Sequence, residues 1–192
     1  MIKYISNQSI NISRIISALI YLGSIVIIAG LYFMETNKTE KYIKNLSSNN
    51  IISRCEAAYM LGEKEEETAI APMLKILRNP SEPVALKKSI MQALGNIKDK
   101  SATPALIEIL AQGDNQLTLS AITSLGMLED KTATEPLLQL LTNQELLLAT
   151  IRTLGDIKDP TAVPALTEQT KSQDNFVSYN ATLALKRIGQ AN

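Results

Sequence analysis

A short motif repeats at nearly constant spacing along most of this 192-residue chain. It is a leucine–glycine pair, whose glycines are Gly62, Gly95, Gly126 and Gly155. Successive glycines are therefore 33, 31 and 29 residues apart, and Leu185-Lys186 stands in the place of a fifth pair. A period of about 20 to 50 residues indicates a stack of similar units, none of which can bury its apolar surface alone. This repeat constrains the fold of residues 51–192 more than any other feature.

Each unit has the pattern of two antiparallel helices. In one copy, Ala102, Ala105, Leu106, Ile109 and Leu110 follow the i, i+3, i+4, i+7, i+8 spacing of an amphipathic helix. The preceding Ser101 is predicted to cap that helix with its hydroxyl, ahead of a proline in the first turn. A second helix, roughly residues 116–125, is predicted to end at Gly126, because glycine is a common helix terminator. The aspartate after each pair is interpreted as a residue that shapes the turn between helices.

The complete motif is a Leu-Gly pair, a turn with aspartate, and then a proline. It is carried by residues 94–99, 125–130 and 154–159, followed by Pro104, Pro136 and Pro164. This pattern resembles the short HEAT-like repeats first associated with phycobilisome lyase subunits, over about Ile51 to Gly189. The resemblance implies an all-α fold, an α-solenoid of about five antiparallel helix pairs. Its known members include bilin lyase subunits, DNA glycosylases and many scaffolds that bind other proteins.

One column of the motif departs from that family. The resemblance implies an arginine eight residues before each glycine, where a ladder of arginines meets acidic residues of the adjacent turn. The corresponding residues of this chain are Arg54, Lys87, Thr118, Leu147 and Ser178. We therefore expect the ladder only in the first two units, and a greater contribution of apolar packing in the later ones.

The N-terminal segment differs from the repeats. Residues 15–34 are twenty residues without a charge, bracketed by Arg14 and Glu35, and as a helix they would extend roughly 30 Å. We predict one transmembrane helix here within a segment of residues 1–35, in contact with the lipid bilayer. A cleaved signal peptide is disfavoured for two reasons. The apolar run is longer than the roughly 7–15 residues usual for the apolar region of a signal peptide, and no small-residue cleavage site follows it. A buried core helix is disfavoured because the chain offers no partner of similar character.

The flanks of this segment leave its orientation poorly determined. Basic residues precede and follow the span in nearly equal number, which gives only a slight preference for an extracytoplasmic repeat domain. Residues 36–50 are predicted to form a juxtamembrane linker or capping helix, with Tyr42, Ile43 and Leu46 as its apolar stripe. Residues 51–192 would be the repeat domain.

Composition excludes several classes of function. The chain has no histidine and one cysteine, which rules out a histidine-ligated zinc site, a Ser-His-Asp triad and an internal disulfide. Residues 49–192 contain 14 lysines and arginines against 17 aspartates and glutamates, with only three aromatic residues, which disfavours nucleic-acid binding. The acidic run 63–67 lacks the spacing of a calcium loop. Cys55 has no histidine base near it in sequence, so we predict no catalytic, cofactor or metal site.

Two columns of residues are predicted to face outward from the glycine-bearing helices, seven and three residues before each glycine position. We assign protein binding to Tyr59, Lys88, Gln92, Leu119, Thr123, Leu148, Arg152, Tyr179 and Leu183. Solenoids generally bind partners on the surface lined by their inner helices, although some of these side chains could instead pack against neighbouring units. The leading interpretation is a membrane-anchored, non-catalytic scaffold for a protein partner. The alternatives are a bilin lyase-like subunit or chaperone of pigment proteins and, less favoured, a nucleic-acid-binding protein.

Overall fold

A computed structural model describes the backbone of residues 2–189 and the side chains of residues 17 and 19–189. Its α-helices are α1 (Ile2–Asn45), α2 (Ile51–Glu63), α3 (Ile70–Arg78), α4 (Val84–Ile97), α5 (Thr103–Leu110), α6 (Asn115–Leu128), α7 (Thr134–Leu138), α8 (Leu147–Ile157), α9 (Val163–Gln169) and α10 (Asn175–Gly189). Short 3-10 helices occupy Glu67–Ala69, Lys100–Ala102, Lys131–Ala133, Gln139–Thr142 and Pro160–Ala162. The described backbone contains no strand, which confirms the all-α prediction. Residues 190–192 of the predicted repeat domain lie outside the described residues.

Residues 1–41 form a unit of their own that consists of most of α1. The large apolar side chains of this unit between Leu19 and Met34 are exposed. Among the described residues, the stretch from Leu19 to Asn45 is the one helical segment long and apolar enough to cross a membrane. A signal sequence passes the same test of length and composition. The first part of the predicted span, residues 15, 16 and 18, lies outside the described side chains.

Residues 42–192 form the second unit, an α-solenoid of helix pairs. The helices that carry the motif, α2, α4, α6, α8 and α10, lie side by side, each in contact with the next. We call them the inner helices. Each is preceded by a shorter helix, which we call an outer helix; these are α3, α5, α7 and α9, with residues 42–46 in the first pair. The leucines of the Leu-Gly pairs are fully buried in the core between the two layers, as Leu61, Leu94, Leu125 and Leu154. The predicted solenoid is confirmed.

The glycines lie inside the inner helices and do not end them. The prediction that the helix ends at Gly126 is wrong, because α6 continues to Leu128. Each glycine instead faces a small residue of the next inner helix, in the pairs Gly62 with Ala93, Gly95 with Ser124, Gly126 with Thr153 and Gly155 with Ala184. A Cβ on Gly155 would lie 2.8 Å from the Cα of Ala184, far inside van der Waals contact. Glycine therefore allows consecutive units to approach closely.

Two of these facing residues also form hydrogen bonds between units. The Ser124 hydroxyl donates to the carbonyl oxygen of Met91 at 2.7 Å, and the Thr153 hydroxyl donates to that of Ile122 at 3.2 Å. Both hydroxyls are buried, and both reach back to the preceding inner helix. The same helix–helix contact thus combines close backbone approach with satisfied polar groups.

The inner helices end three residues after the glycine, at a residue in the left-handed region. Lys98, Glu129 and Lys158 have φ values of 60°, 49° and 56° and stop α4, α6 and α8. The aspartate that follows each one caps the next 3-10 helix. Asp99, for example, accepts a hydrogen bond from the backbone N–H of Ser101 at 2.8 Å. The predicted turn role of these aspartates is therefore confirmed, whereas the predicted hydroxyl cap at Ser101 is wrong.

Two of these aspartates, Asp130 and Asp159, also lie near a buried hydroxyl of the preceding unit. The buried hydroxyl of Thr103 has no close hydrogen-bond partner, and it lies near the carboxylate of Asp130 in the next unit. Burial by itself would raise the pKa of Asp130, but the backbone N–H of Thr132, the hydroxyls of Thr103 and Thr132 and the charge of Lys100 lower it below its ordinary value. The stabilisation from the ionised carboxylate is therefore present at neutral pH and is lost as the pH falls through the lowered pKa.

The first rung of the basic ladder is present. Arg54 donates two hydrogen bonds to the Glu82 carboxylate, at 2.7 and 2.8 Å, and its Nε donates to the carbonyl oxygen of Leu46 at 2.7 Å. This side chain therefore connects the end of α1, α2 and the turn before α4. Lys87 is buried near Glu82 but forms no ion pair within the described residues. The ladder thus has one complete rung.

Candidate functional site

The predicted binding residues lie on the outward faces of the inner helices, and the structure leaves all of them at least partly accessible. Tyr59, Leu119 and Tyr179 are large side chains with 55%, 44% and 67% of their surface exposed. Lys88, Gln92, Thr123 and Arg152 are exposed, and Leu148 and Leu183 are half-buried. The helical period therefore placed both columns on the accessible side of the helix layer.

Three adjoining depressions run along this face. The first, about 430 Å³, lies between α2, α4 and α6 and is lined by Tyr59, Lys88, Gln92, Leu119 and Thr123, with five further residues. The second, about 550 Å³, also includes Leu119 and Thr123 and continues to Arg152 on α8. The third, about 340 Å³, includes Arg152 and continues to Tyr179 and Leu183 on α10. Because neighbouring depressions share residues, we call them together the inner groove; Leu148 lines none of the three.

Sequence reasoning missed a third column in the inner groove, one residue after each glycine position. Its members in the groove are Asn96, Met127, Asp156 and Arg187. They stand one helical turn after Gln92, Thr123, Arg152 and Leu183, so extending the second column by four residues would have found them. Asn96 accepts a hydrogen bond from Gln92 at 3.0 Å and donates one to Glu63 at 3.3 Å. The amide side chains thus form a polar network at the first end of the inner groove.

Arg152 is held in place by a buried amide. Its Nε donates to Oδ1 of Asn180 at 2.9 Å, and Nδ2 of Asn180 donates to the carbonyl oxygen of Phe176 at 2.7 Å. Asn180 is only 6% exposed, so its orientation is fixed by packing. Within the described residues, the terminal nitrogens of Arg152 have no carboxylate partner. A rigidly oriented guanidinium with unused donors is suited to a carboxylate ligand, which it can bind with two parallel hydrogen bonds.

Apart from Lys88, the other charged side chains of the inner groove are paired within the described residues. Arg187 donates to Asp156 at 2.6 Å, and Lys158 lies 3.8 Å from Glu129. Burial raises the pKa of Asp156, the charge of Arg187 opposes that shift, and the nearby Glu129 carboxylate adds to it, so that the pKa lies above its ordinary value. Because a raised carboxyl pKa marks a less favourable ionised state, acidification protonates Asp156 more readily than an ordinary aspartate and releases Arg187.

Outside the inner groove, a further depression of about 740 Å³ lies beside Arg54 and Glu82, whose side chains bind each other. Within residues 17 and 19–189, no three histidine, cysteine, aspartate or glutamate side chains come close enough to hold a metal ion. Cys55 is half-buried and packs against the core. The acidic run 63–67 spans the end of α2 and the start of the following 3-10 helix, in the place of the inter-helix turn. The inner groove is therefore the candidate site.

Comparison with known proteins agrees with this architecture. The family model for HEAT repeats matches residues 39–126 and 134–192. No curated protein matches the chain. Among solved structures, the complex of CpcE and CpcF of phycocyanin lyase from Nostoc sp. PCC7120 is similar, with 26% identity and a TM-score of 0.69 over 79% of this chain and 65% of that one. This chain therefore spans less than two thirds of the length of that relative.

Two similar structures are synthetic proteins. An engineered protein is 24% identical over 79% of each chain, with a TM-score of 0.55. A designed armadillo repeat protein in complex with the peptide (KR)4 is 18% identical, with a TM-score of 0.59 over 82% of this chain and 84% of that one. At these identities the likeness concerns the fold alone, and it places the described helices among repeat solenoids.

Proposed function

The chain belongs to the HEAT-repeat family, and from this membership we propose that it is a membrane-anchored, non-catalytic scaffold that binds a protein partner in its inner groove. The observation that carries the proposal is the continuity of the inner groove across all five inner helices. In this proposal residues 1–35 supply the anchor, residues 36–50 connect it, and residues 51–192 bind.

The character of the inner groove supports a protein partner. Its exposed apolar groups, Tyr59, Leu119 and Tyr179, alternate with polar side chains such as Gln92 and Thr123. Clustered exposed apolar side chains with polar neighbours are typical of surfaces that bind proteins. Binding a partner needs only an accessible surface of this kind, whereas catalysis would need reactive groups arranged around a substrate.

Site-specific crosslinking in the native membrane tests the binding surface. We expect photoreactive residues at Thr123 and Arg152 to capture the same protein, because both positions line the inner groove. The matched control is Glu135, an exposed residue of α7 that lines none of the three depressions. Equal capture from Glu135, or capture of different proteins from Thr123 and Arg152, would contradict a shared binding surface.

Membrane extraction tests the anchor. We propose that residues 15–34 cross the bilayer, with a slight preference for an extracytoplasmic solenoid. The full-length protein should then remain in carbonate-washed membranes with residue 34 still attached to the solenoid. The variant Val26→Lys/Ile27→Lys should be washed off, since each lysine near a helix centre costs about 2.5–3.5 kcal/mol on insertion. A mature protein whose first residue lies beyond Met34 would show that the segment is a cleaved signal.

A second candidate is a lyase subunit. It is favoured by the 26% identity to phycocyanin lyase. On that proposal, protein from the native host would carry visible absorbance of a bound bilin, or would transfer bilin to a phycobiliprotein acceptor. We expect neither, because no cysteine lines the inner groove and its two carboxylates are already paired with basic side chains.

A further inference from the structure

The charge of the inner groove differs from that of the solenoid around it. Residues 49–192 carry three more acidic than basic side chains. The lining of the inner groove has the opposite excess, with four basic residues against two acidic ones. These are Lys88, Arg152, Lys158 and Arg187 against Glu129 and Asp156. The solenoid therefore concentrates positive charge on the surface proposed to bind a partner.

Two of the four cations have no acidic partner in the described part of the chain. Lys158 and Arg187 are paired with the two acidic residues of the groove, whereas Lys88 and Arg152 are not paired. Arg152 is also oriented by the buried amide of Asn180, which leaves its terminal nitrogens for a ligand. The unneutralised charges thus lie at two defined places, on α4 and α8.

The distance between these places sets the length of a ligand that could reach both. The helices α4 and α8 are separated by α6, and packed helices lie 8–10 Å apart, so the two positions are roughly 16–20 Å apart. An extended peptide advances about 3.3 Å per residue and covers this distance in about five or six residues. Between the two cations, Leu119 and Met127 line the groove and offer contact to apolar side chains.

We propose that the occupant of the inner groove is an extended segment of the partner protein with two acidic residues about six positions apart, one at Lys88 and one at Arg152. This inference rests on the proposed scaffold function and adds the chemistry of the partner. A polyanion such as a nucleic acid is a poor match, because the carboxylates of Glu129 and Asp156 lie in the same groove. Isolated carboxylates separated by apolar residues match both the unpaired cations and the apolar contacts.

Peptide binding to the full-length protein in lipid nanodiscs tests this proposal. The probe is a peptide with fluorescein on its amino terminus, fluorescein-Asp-Ser-Leu-Ser-Leu-Ser-Asp-amide, and the matched control peptide has asparagine in place of both aspartates. We expect anisotropy titration to give at least tenfold tighter binding of the aspartate peptide, with a difference that shrinks as salt is raised. Arg152→Gln and Lys88→Gln should each weaken the aspartate peptide about tenfold and leave the asparagine peptide unchanged.

Two further variants act as internal controls. Lys75→Gln, at an exposed lysine of α3 outside the inner groove, should leave both affinities unchanged. Asp156→Asn removes the partner of Arg187 and should strengthen binding of the aspartate peptide several-fold.

The following outcomes would overturn the proposal. The first is equal affinity of the protein for the two peptides. The second is an unchanged affinity for the aspartate peptide in Arg152→Gln. The third is no binding of the aspartate peptide at millimolar concentration. The scaffold function is judged separately by crosslinking from Thr123, which does not depend on the charge of the probe. A partner captured from Thr123 together with equal affinities for the two peptides would keep the scaffold and refute its acidic ligand.

Discussion

Replacing Gly155 by alanine is expected to lower the free energy of unfolding of the repeat domain by about 1–3 kcal/mol, the usual cost of overpacking a core. The added Cβ would meet both the Cα and the Cβ of Ala184 at 2.8 Å, so α8 and α10 must separate. Backbone atoms cannot rotate away from the new methyl group as a flexible side chain can. Chemical denaturation of the full-length protein, followed by circular dichroism, measures the loss.

Gly126→Ala is the matched control for this substitution. Its Cβ would lie 3.2 Å from the hydroxyl oxygen of Thr153, which is a side-chain contact and a milder one. Both variants replace a glycine inside an inner helix, so the gain of about 1 kcal/mol in helix propensity is common to both. The difference between them therefore isolates the clash. Equal stability of the two variants would show that the units do not need this close approach.

Replacing Arg54 by methionine is expected to cost about 2–3 kcal/mol of unfolding free energy, as for a half-buried hydrogen bond to a charged group. The substitution leaves Glu82, whose side chain is 15% exposed, without its cation, and leaves the carbonyl of Leu46 without its donor. Methionine keeps much of the aliphatic volume, so lost packing contributes little. The measurement is again the denaturation midpoint.

The pH dependence of the same pair supplies an independent readout. The hydrogen bonds from Arg54 lower the pKa of Glu82, burial opposes them, and the charge of Arg54 adds to the lowering. With a lowered folded-state pKa, the pair stabilises the protein above the ordinary glutamate pKa and loses its effect as the pH falls through the lowered value. In Arg54→Met this part of the acid sensitivity should disappear. The double variant Arg54→Met/Glu82→Gln should be more stable at neutral pH than Arg54→Met, and the opposite order would refute the account.

The fold was largely predictable because the repeat is visible in one sequence. Buried leucines recur at the same position in four units and turn aspartates in three of them, and their roles follow from local chemistry. The role of the glycines did not follow, because glycine before polar residues is also the usual signal of a helix end. Only the position of Ala184 against Gly155 shows that the missing Cβ makes room for the next unit. A contact between units 29 residues apart leaves no local pattern.

The candidate site was predictable to a similar extent. Helical periodicity placed Tyr59, Thr123 and Arg152 on the accessible face, since each inner helix has one buried side. It did not show which charges are already neutralised. Arg187 and Arg152 are both groove arginines by position, and only the structure shows that Asp156 pairs with the first while Asn180 orients the second. Which of two arginines at equivalent positions pairs with a given carboxylate depends on distances in the folded structure, which the sequence pattern does not contain.

The residues with a left-handed backbone conformation lie in a connection of constant length between each inner helix and the next outer helix. In four successive copies that residue stands three positions after the glycine, and the next outer helix begins five positions later, at Ile70, Thr103, Thr134 and Val163. All variation in the repeat length, from 33 to 29 residues, therefore falls between the start of an outer helix and the next glycine. Along that stretch α7 continues as the 3-10 helix Gln139–Thr142, whereas α8 has 11 residues against 14 in α6. The length of a unit can thus change without any change in the connection of eight residues that leads from each glycine to the next outer helix.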